Sequence, residues 1–214
     1  MLSLRPYQQV VVKRIVSSAR SGRRVFGLNS PTGSGKTRMA LAIANGLNAR
    51  RVVVAVRTHN EMTRYYDEVG KIGLKYSVIP MRSKVHLCRL CVESSEPCDL
   101  TPEDIKCVEC PYYKKLRGLI KWLHDDAEDD ESLPPVRVNV VEEKIAVLSR
   151  YPPDADSKEL WRVLGDCPYQ WAKIGAQYSW YFGYPVLLTV TYPYLFIPFI
   201  RRVINFGKPD LVII

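Results

Sequence analysis

The chain has 214 residues, of which 47% are hydrophobic, 10% aromatic and 25% charged, a profile that excludes global disorder, collagen, a long coiled coil and a disulfide-stapled miniprotein. Its 31 Lys and Arg against 22 Asp and Glu give a formal charge of +9, and the excess is local: positions 1–86 hold 16 basic and 3 acidic residues, positions 87–214 hold 15 and 19. A basic first part fits either a polyanionic partner or a merely well-hydrated surface, and charge alone weighs the two evenly.

Taken in chain order, Pro6 to Ala19 reads as a helix, with Tyr7, Val11 and Ile15 at i, i+4, i+8 and Pro6 suited to a first turn. Arg24 to Asn29 is a short apolar segment expected to be a strand; it runs into a Gly-rich turn, Ser30 to Gly35, and then a helix from Lys36 to Leu47. Arg51 to Arg57 (RVVVAVR) is the β-branched run of a strand buried on both faces of a parallel sheet. Regularity breaks after about Pro80. From there to about Gly183 lie all six cysteines, an acidic run at Asp125 to Glu131 read as a solvated loop, and the pairs Pro134-Pro135 and Pro152-Pro153.

No charged side chain occurs from Ile174 to Ile200, a length that could span a bilayer. Pro185, Pro193 and Pro198 argue against it, since lipid cannot replace the backbone donors they remove. The expected order is a short helix, a buried strand at Val186 to Val190, an aromatic loop or helix, and a last buried strand at Leu211 to Ile214, in which the sequence reads as truncated. With no signal peptide at its start, the chain is expected inside the cell, in the cytoplasm or in a eukaryotic nucleus.

The strongest motif is Ser30-Pro31-Thr32-Gly33-Ser34-Gly35-Lys36-Thr37. It meets the P-loop pattern G-x-x-x-x-G-K-[ST] except for Ser30 at the first place. Backbone N–H groups at a helix N-terminus would face a triphosphate, Gly33 and Gly35 would let the loop wrap tightly, Lys36 would neutralise the β/γ-phosphates, and Thr37 would hold Mg²⁺. A P-loop specifies nucleotide binding, not the use made of the energy. Hydrolysis also needs an acidic residue on a neighbouring strand, and Leu211 to Ile214 reads as the strand that would lead to it.

Cys88-x2-Cys91 and Cys107-x2-Cys110, 15 residues apart, satisfy a zinc-ribbon spacing. Four thiolates drawn from Cys88, Cys107, Cys110 and Cys167 would serve an iron–sulfur cluster equally well, and spacing does not separate the two.

Several segments together resemble the XPD family of superfamily 2 iron–sulfur DNA helicases, its archaeal members in particular. LRPYQ at Leu4 to Gln8 resembles an adenine-contacting motif, which implies nucleotide roles for Arg5 and Gln8. SPTGSGKT resembles helicase motif I. Arg57-Thr58-His59-Asn60-Glu61 resembles motif Ia, which implies single-strand contacts by Arg57, Thr58 and His59. SKVHLC at Ser83 to Cys88, KCVEC at Lys106 to Cys110 and DCPY at Asp166 to Tyr169 resemble the segments bearing the cluster ligands, which implies Cys88, Cys107, Cys110 and Cys167. TYPYLF at Thr191 to Phe196 resembles a segment on the approach to the Walker B strand. Cys91 and Cys98 have no counterpart, and the stretch from Cys110 to Cys167 is long for the archaeal pattern.

The resemblance implies an α/β RecA-like P-loop motor domain, its parallel sheet incomplete, carrying a cysteine-rich, mainly helical insert. The boundaries are residues 1–80 for the first part of the motor, 81–183 for the iron–sulfur domain, and 184–214 for the return to the motor, cut before Walker B. It implies an ATP-dependent 5′-to-3′ DNA helicase of repair, monomeric and not membrane-bound. ATP, Mg²⁺ and a [4Fe-4S] cluster would be its cofactors, and single-stranded and forked DNA its partners. This chain alone would be nearly without turnover. The alternative is a non-catalytic nucleic-acid-binding module with a structural Zn²⁺ ribbon and a vestigial P-loop. Aromatics such as Tyr178, Trp180, Tyr181, Phe182, Tyr184, Tyr192, Tyr194 and Phe196 are expected mostly against the sheet, with base stacking as the other use.

Overall fold

The computed structural model describes residues 4–93, 105–124, 135–193 and 208–214. Cys98, the acidic run at Asp125 to Glu131, Tyr194, Phe196 and the rest of the aromatic segment lie outside the described residues. The first part comprises α1 (Pro6–Arg20), α2 (Lys36–Gly46), β1 (Arg51–Val56), α3 (His59–Ile72) and β2 (Ser77–Met81). Then come α4 (Lys84–Leu87), α5 (Arg89–Val92), a 3-10 turn at Cys107–Glu109, α6 (Pro111–His124), α7 (Pro135–Arg150), α8 (Ser157–Leu164) and α9 (Pro168–Tyr181). β3 (Val186–Thr191) and β4 (Leu211–Ile213) return to the sheet.

The four strands are parallel, in the order β2-β3-β1-β4. In register, Val53 lies between Leu188 and Val212. Side chains alternate across the pleat. Val53, Ile79, Leu188 and Val190 therefore meet Ala172, Ala176 and Trp180 of α9 on one face. Val52, Val54 and Leu187 meet Leu41 and Ala44 of α2 and Met62 and Val69 of α3 on the other. Both faces are covered, which is why β1 and β3 read as unbroken apolar runs. Pro80 is tolerated in β2 because that strand pairs only with β3 among the described residues, leaving one side with no ladder to break.

One expectation is corrected, and one helix is refined. Residues 24–29 form no strand, and Val25 is 90% exposed. A strand exists through its ladder, and among the described residues none runs beside this segment. The inward face of α1 centres on Gln8 and Val12, not on Tyr7, which is exposed while Val11 and Ile15 pack at the edge of the cluster around Val12, Met39 and Ile43. Here the buried amide of Gln8, invisible to an apolar count, sets the rotation of the helix.

A second core, helical throughout, gathers Leu116, Val141, Ile145, Leu160, Leu164, Trp171, Ile174 and Tyr178 from α6 to α9. α9 serves both cores, with Trp180 toward the sheet and Trp171 toward the helices. It is buried on most of its sides for that reason, Gln170, Gln177 and Ser179 included. At Gly175 a Cβ would approach Ile145 Cγ1 of α7 to 3.1 Å and Ile79 Cδ1 of β2 to 3.4 Å, so the small residue lets α9 lie close between them. Among the described residues no helix is long and apolar enough to cross a membrane.

Candidate functional site: a P-loop and a thiol cavity on one sheet

The P-loop opens α2 as the motif requires. Gly33 (φ +79°) and Gly35 (φ +80°) take left-handed backbone that an L side chain rarely adopts. Ser30 Oγ donates to Ser34 Oγ at 2.5 Å, and Lys36 Nζ donates to the carbonyls of Ser30 (2.7 Å) and Pro31 (3.0 Å). The ammonium is thus held at the loop. Thr32 is exposed, and Thr37 lines a cavity of about 370 Å³ together with Arg5, Gln8, Gly33 and Gly35.

The loop is braced by α1. Tyr7 Oη donates to the Ser34 carbonyl at 2.6 Å, as does Gln8 Nε2 at 2.7 Å, while Gln8 Oε1 accepts from the Arg5 N–H at 2.9 Å. Gln8 is 3% exposed, so both ends of its amide are engaged by the chain itself. A Cβ at Gly35 would stand 2.5 Å from Gln8 Nε2. Gly35→Ala is therefore expected to lose about 1–3 kcal/mol in urea unfolding, from left-handed strain and the displaced brace, and to weaken nucleotide binding in the same titration series.

Sequence reading missed the opposite wall of this cavity. Arg64, Asp67, Glu68 and Lys71 of α3 line it, and Glu68 pairs with Arg38 of α2. Their i, i+3, i+4, i+7 spacing was the available signal, a charged stripe on one helix face.

Arg57, Thr58 and His59 stand at the carboxyl end of β1, where open parallel sheets present ligand-binding crevices. Thr58 caps α3, its Oγ1 accepting from Glu61 N–H at 3.4 Å, and the Glu61 carboxylate accepts from the Arg57 N–H at 2.8 Å and pairs with its guanidinium. T-x-x-E here does the work of a capping box, and the Arg57 hydrogen bond holds the Glu61 carboxyl below its ordinary value. The His59 ring meets His86 of α4 edge-to-face, centroids 5.0 Å apart.

Burial, then the neighbouring His86 and Arg82, lowers His59 from its ordinary 6.5. Its neutral form is favoured by folding, so the contribution is present above 6.5 and is lost as pH falls through the depressed folded value. Arg82 is in turn faced by Asp154 and Asp156. Urea midpoints are expected to fall between about pH 7 and pH 5, and His59→Gln to make that decline shallower.

Around the second core, Cys88, Cys107, Cys110 and Cys167 are free thiols, and all four line a single cavity of about 460 Å³. Cys91 is disulfide-bonded. Cys91 of the ribbon spacing does not line this cavity, whereas Cys167, at the start of α9, does. Among the described residues no three His, Cys, Asp or Glu side chains surround one point closely enough for a single ion, which would need its sulfurs at roughly 2.3 Å. The four thiols share the lining of one cavity. Burial pushes the Cys167 thiol up to about 12, against the backbone N–H groups of Gln170 and Tyr169 that favour thiolate. Cys107 is raised by burial too, with Lys84 and Lys173 pulling the other way. Such thiols are poor nucleophiles at neutral pH and become thiolates when metal binds.

Of the aromatics, Tyr178 and Trp180 are buried, whereas Tyr181, Phe182, Tyr184 and Tyr192 are exposed. Tyr178, Phe182 and Tyr184 form one ring cluster, with both tyrosine hydroxyls on the Glu142 carboxylate.

A family model described as "Type III restriction enzyme, res subunit" matches residues 1–86. A solved structure named "XPD helicase" aligns over 100% of this chain and 32% of its own, with TM-score 0.59 and 24% identity. Another, "Truncated XPD", aligns over 95% and 50%, with TM-score 0.53 and 23% identity. The fold is XPD-like. No curated protein sequence matches significantly, and the chain spans about a third and a half of the two solved chains. The XPD-like fold agrees with the motif order along the chain, and the parallel sheet with helices on both faces is of the open α/β class.

Proposed function

We propose that the chain is the P-loop part of an ATP-dependent DNA helicase motor joined to an iron–sulfur lobe, divided as residues 1–80, 81–183 and 184–214. The observation that carries this reading is the gathering of four free thiols, from three separate segments, on a cavity against α9, the helix that also packs on the P-loop sheet.

Lys36 would meet the β/γ-phosphates, Thr37 would ligate Mg²⁺, and the N–H groups of Gly33 to Lys36 would face the anion. Gln8 would keep the loop in shape. Arg5, lining the same cavity, is free to meet the base or ribose. Cys88, Cys107, Cys110 and Cys167 would hold a [4Fe-4S] cluster, which when bound cross-links the segments that carry them and orders a lobe of small core. A cluster is preferred to Zn²⁺ because the four free thiols on this cavity are the ones the motif resemblance names. Arg57, Thr58 and His59, with the basic first 86 residues, would track single-stranded DNA, giving salt-dependent binding. Directional 5′-to-3′ unwinding in repair is the activity this reading assigns to the whole protein.

The test is metal content after anaerobic purification. Iron and acid-labile sulfide in equal amounts, with a brown colour, support the reading; a colourless chain with one zinc supports the nucleic-acid-binding module and overturns it.

A further inference from the structure

α8 is fastened to the backbone just before Cys88 by two side chains one helical turn apart. Ser157 Oγ donates to the His86 carbonyl at 2.7 Å, and Trp161 Nε1 donates to the Leu87 carbonyl at 2.7 Å. These carbonyls end α4, a helix of four residues, too short to hold its own shape and unable to satisfy its last C=O groups internally. The direction of Cys88 is therefore set jointly by α8 and by its own chain, where its N–H donates to the Lys84 carbonyl at 2.7 Å and its carbonyl accepts from the Val92 N–H at 2.9 Å.

α8 is itself held at both ends. Asp156 caps it through the Lys158 N–H at 2.9 Å, and Lys144 Nζ of α7 donates to the Leu164 carbonyl at 2.8 Å. Gly165, at φ +69°, then turns the chain so that Cys167 follows two residues later. Trp161 is 9% exposed, lines the thiol cavity, and meets the Tyr112 ring edge-to-face at 4.8 Å.

We infer that Ser157 and Trp161 are positioning residues that hold the segment leading into Cys88 on α8, the helix that leads to Cys167, so that both thiols face the same cavity before metal arrives. The inference rests on the iron–sulfur reading above. Hydrogen bonds that orient a ligand from behind change metal affinity by about 10- to 100-fold.

Trp161→Phe keeps the ring and removes only the donor. Ser157→Ala removes the other, half-buried donor. In the anaerobically purified chain, iron loss to a chelator is expected to be about tenfold faster in Trp161→Phe, with an unchanged circular dichroism spectrum. In the metal-free chain, Cys88 is expected to alkylate several-fold faster relative to Cys110, read by mass spectrometry. Parental rates in both assays overturn the clamp and leave the iron–sulfur reading standing. A parent chain without iron and sulfide overturns that reading instead, and Cys88 alkylation then decides the clamp. Should Trp161→Phe fail to fold, Ser157→Ala decides by the same two rates.

Discussion

Cys167→Ser is expected to strip iron and sulfide from the protein while leaving the metal-free chain as stable as its parent. Serine is close in size to cysteine, and Cys167 is the N-cap of α9, a position serine favours. The N–H groups of Tyr169 and Gln170 that face the thiol would serve a hydroxyl equally well. The loss should therefore register on the metal and not on the apo fold. Structural metal sites contribute roughly 10 kcal/mol or more of folding free energy when loaded, so the parent should melt well above the variant when both are purified anaerobically, and together after chelation. Parental iron content in Cys167→Ser would sink the four-thiol assignment.

Lys36→Ala is expected to abolish measurable nucleotide binding with little change in stability. The ammonium is exposed, and its two acceptors, the Ser30 and Pro31 carbonyls, are loop groups that water can serve in its place. Surface changes of this kind stay within about 0.5 kcal/mol. A charged hydrogen bond to phosphate is worth about 1.5–3 kcal/mol, and the lysine makes more than one in the proposed pose, so affinity should drop at least about 100-fold. Titration with a fluorescent ATP analogue measures it. Unchanged affinity would mean that the P-loop does not grip the nucleotide.

How much could be read beforehand depends on the range of the interactions involved. The turn before α2 was legible to the residue, because the left-handed Gly33 and Gly35 and the helix start at Lys36 lie within a few residues of one another. β1 and β3 were legible because a doubly buried strand carries its signal in its own composition. Residues 24–29 were not, since an apolar segment says nothing about whether a neighbour strand is there to pair with it. β2 was missed because Pro80 hides an edge strand.

The cysteines divide along the same line. Local spacing did not decide between Cys91 and Cys167; the motif resemblance pointed to Cys167. That Cys167 reaches the cavity wall beside Cys88, Cys107 and Cys110 belongs to the fold, because it depends on α9 bringing a distant residue there. The α3 charges opposite the P-loop, the Gln8 brace and the Trp161 clamp belong to it as well. Chain-local chemistry, the phosphate loop and the helix caps, is written in neighbouring residues. Contacts between segments far apart in sequence, such as Gln8 with Ser34 or Trp161 with Leu87, are decided by the tertiary structure, because no local pattern encodes which far surface a side chain will meet.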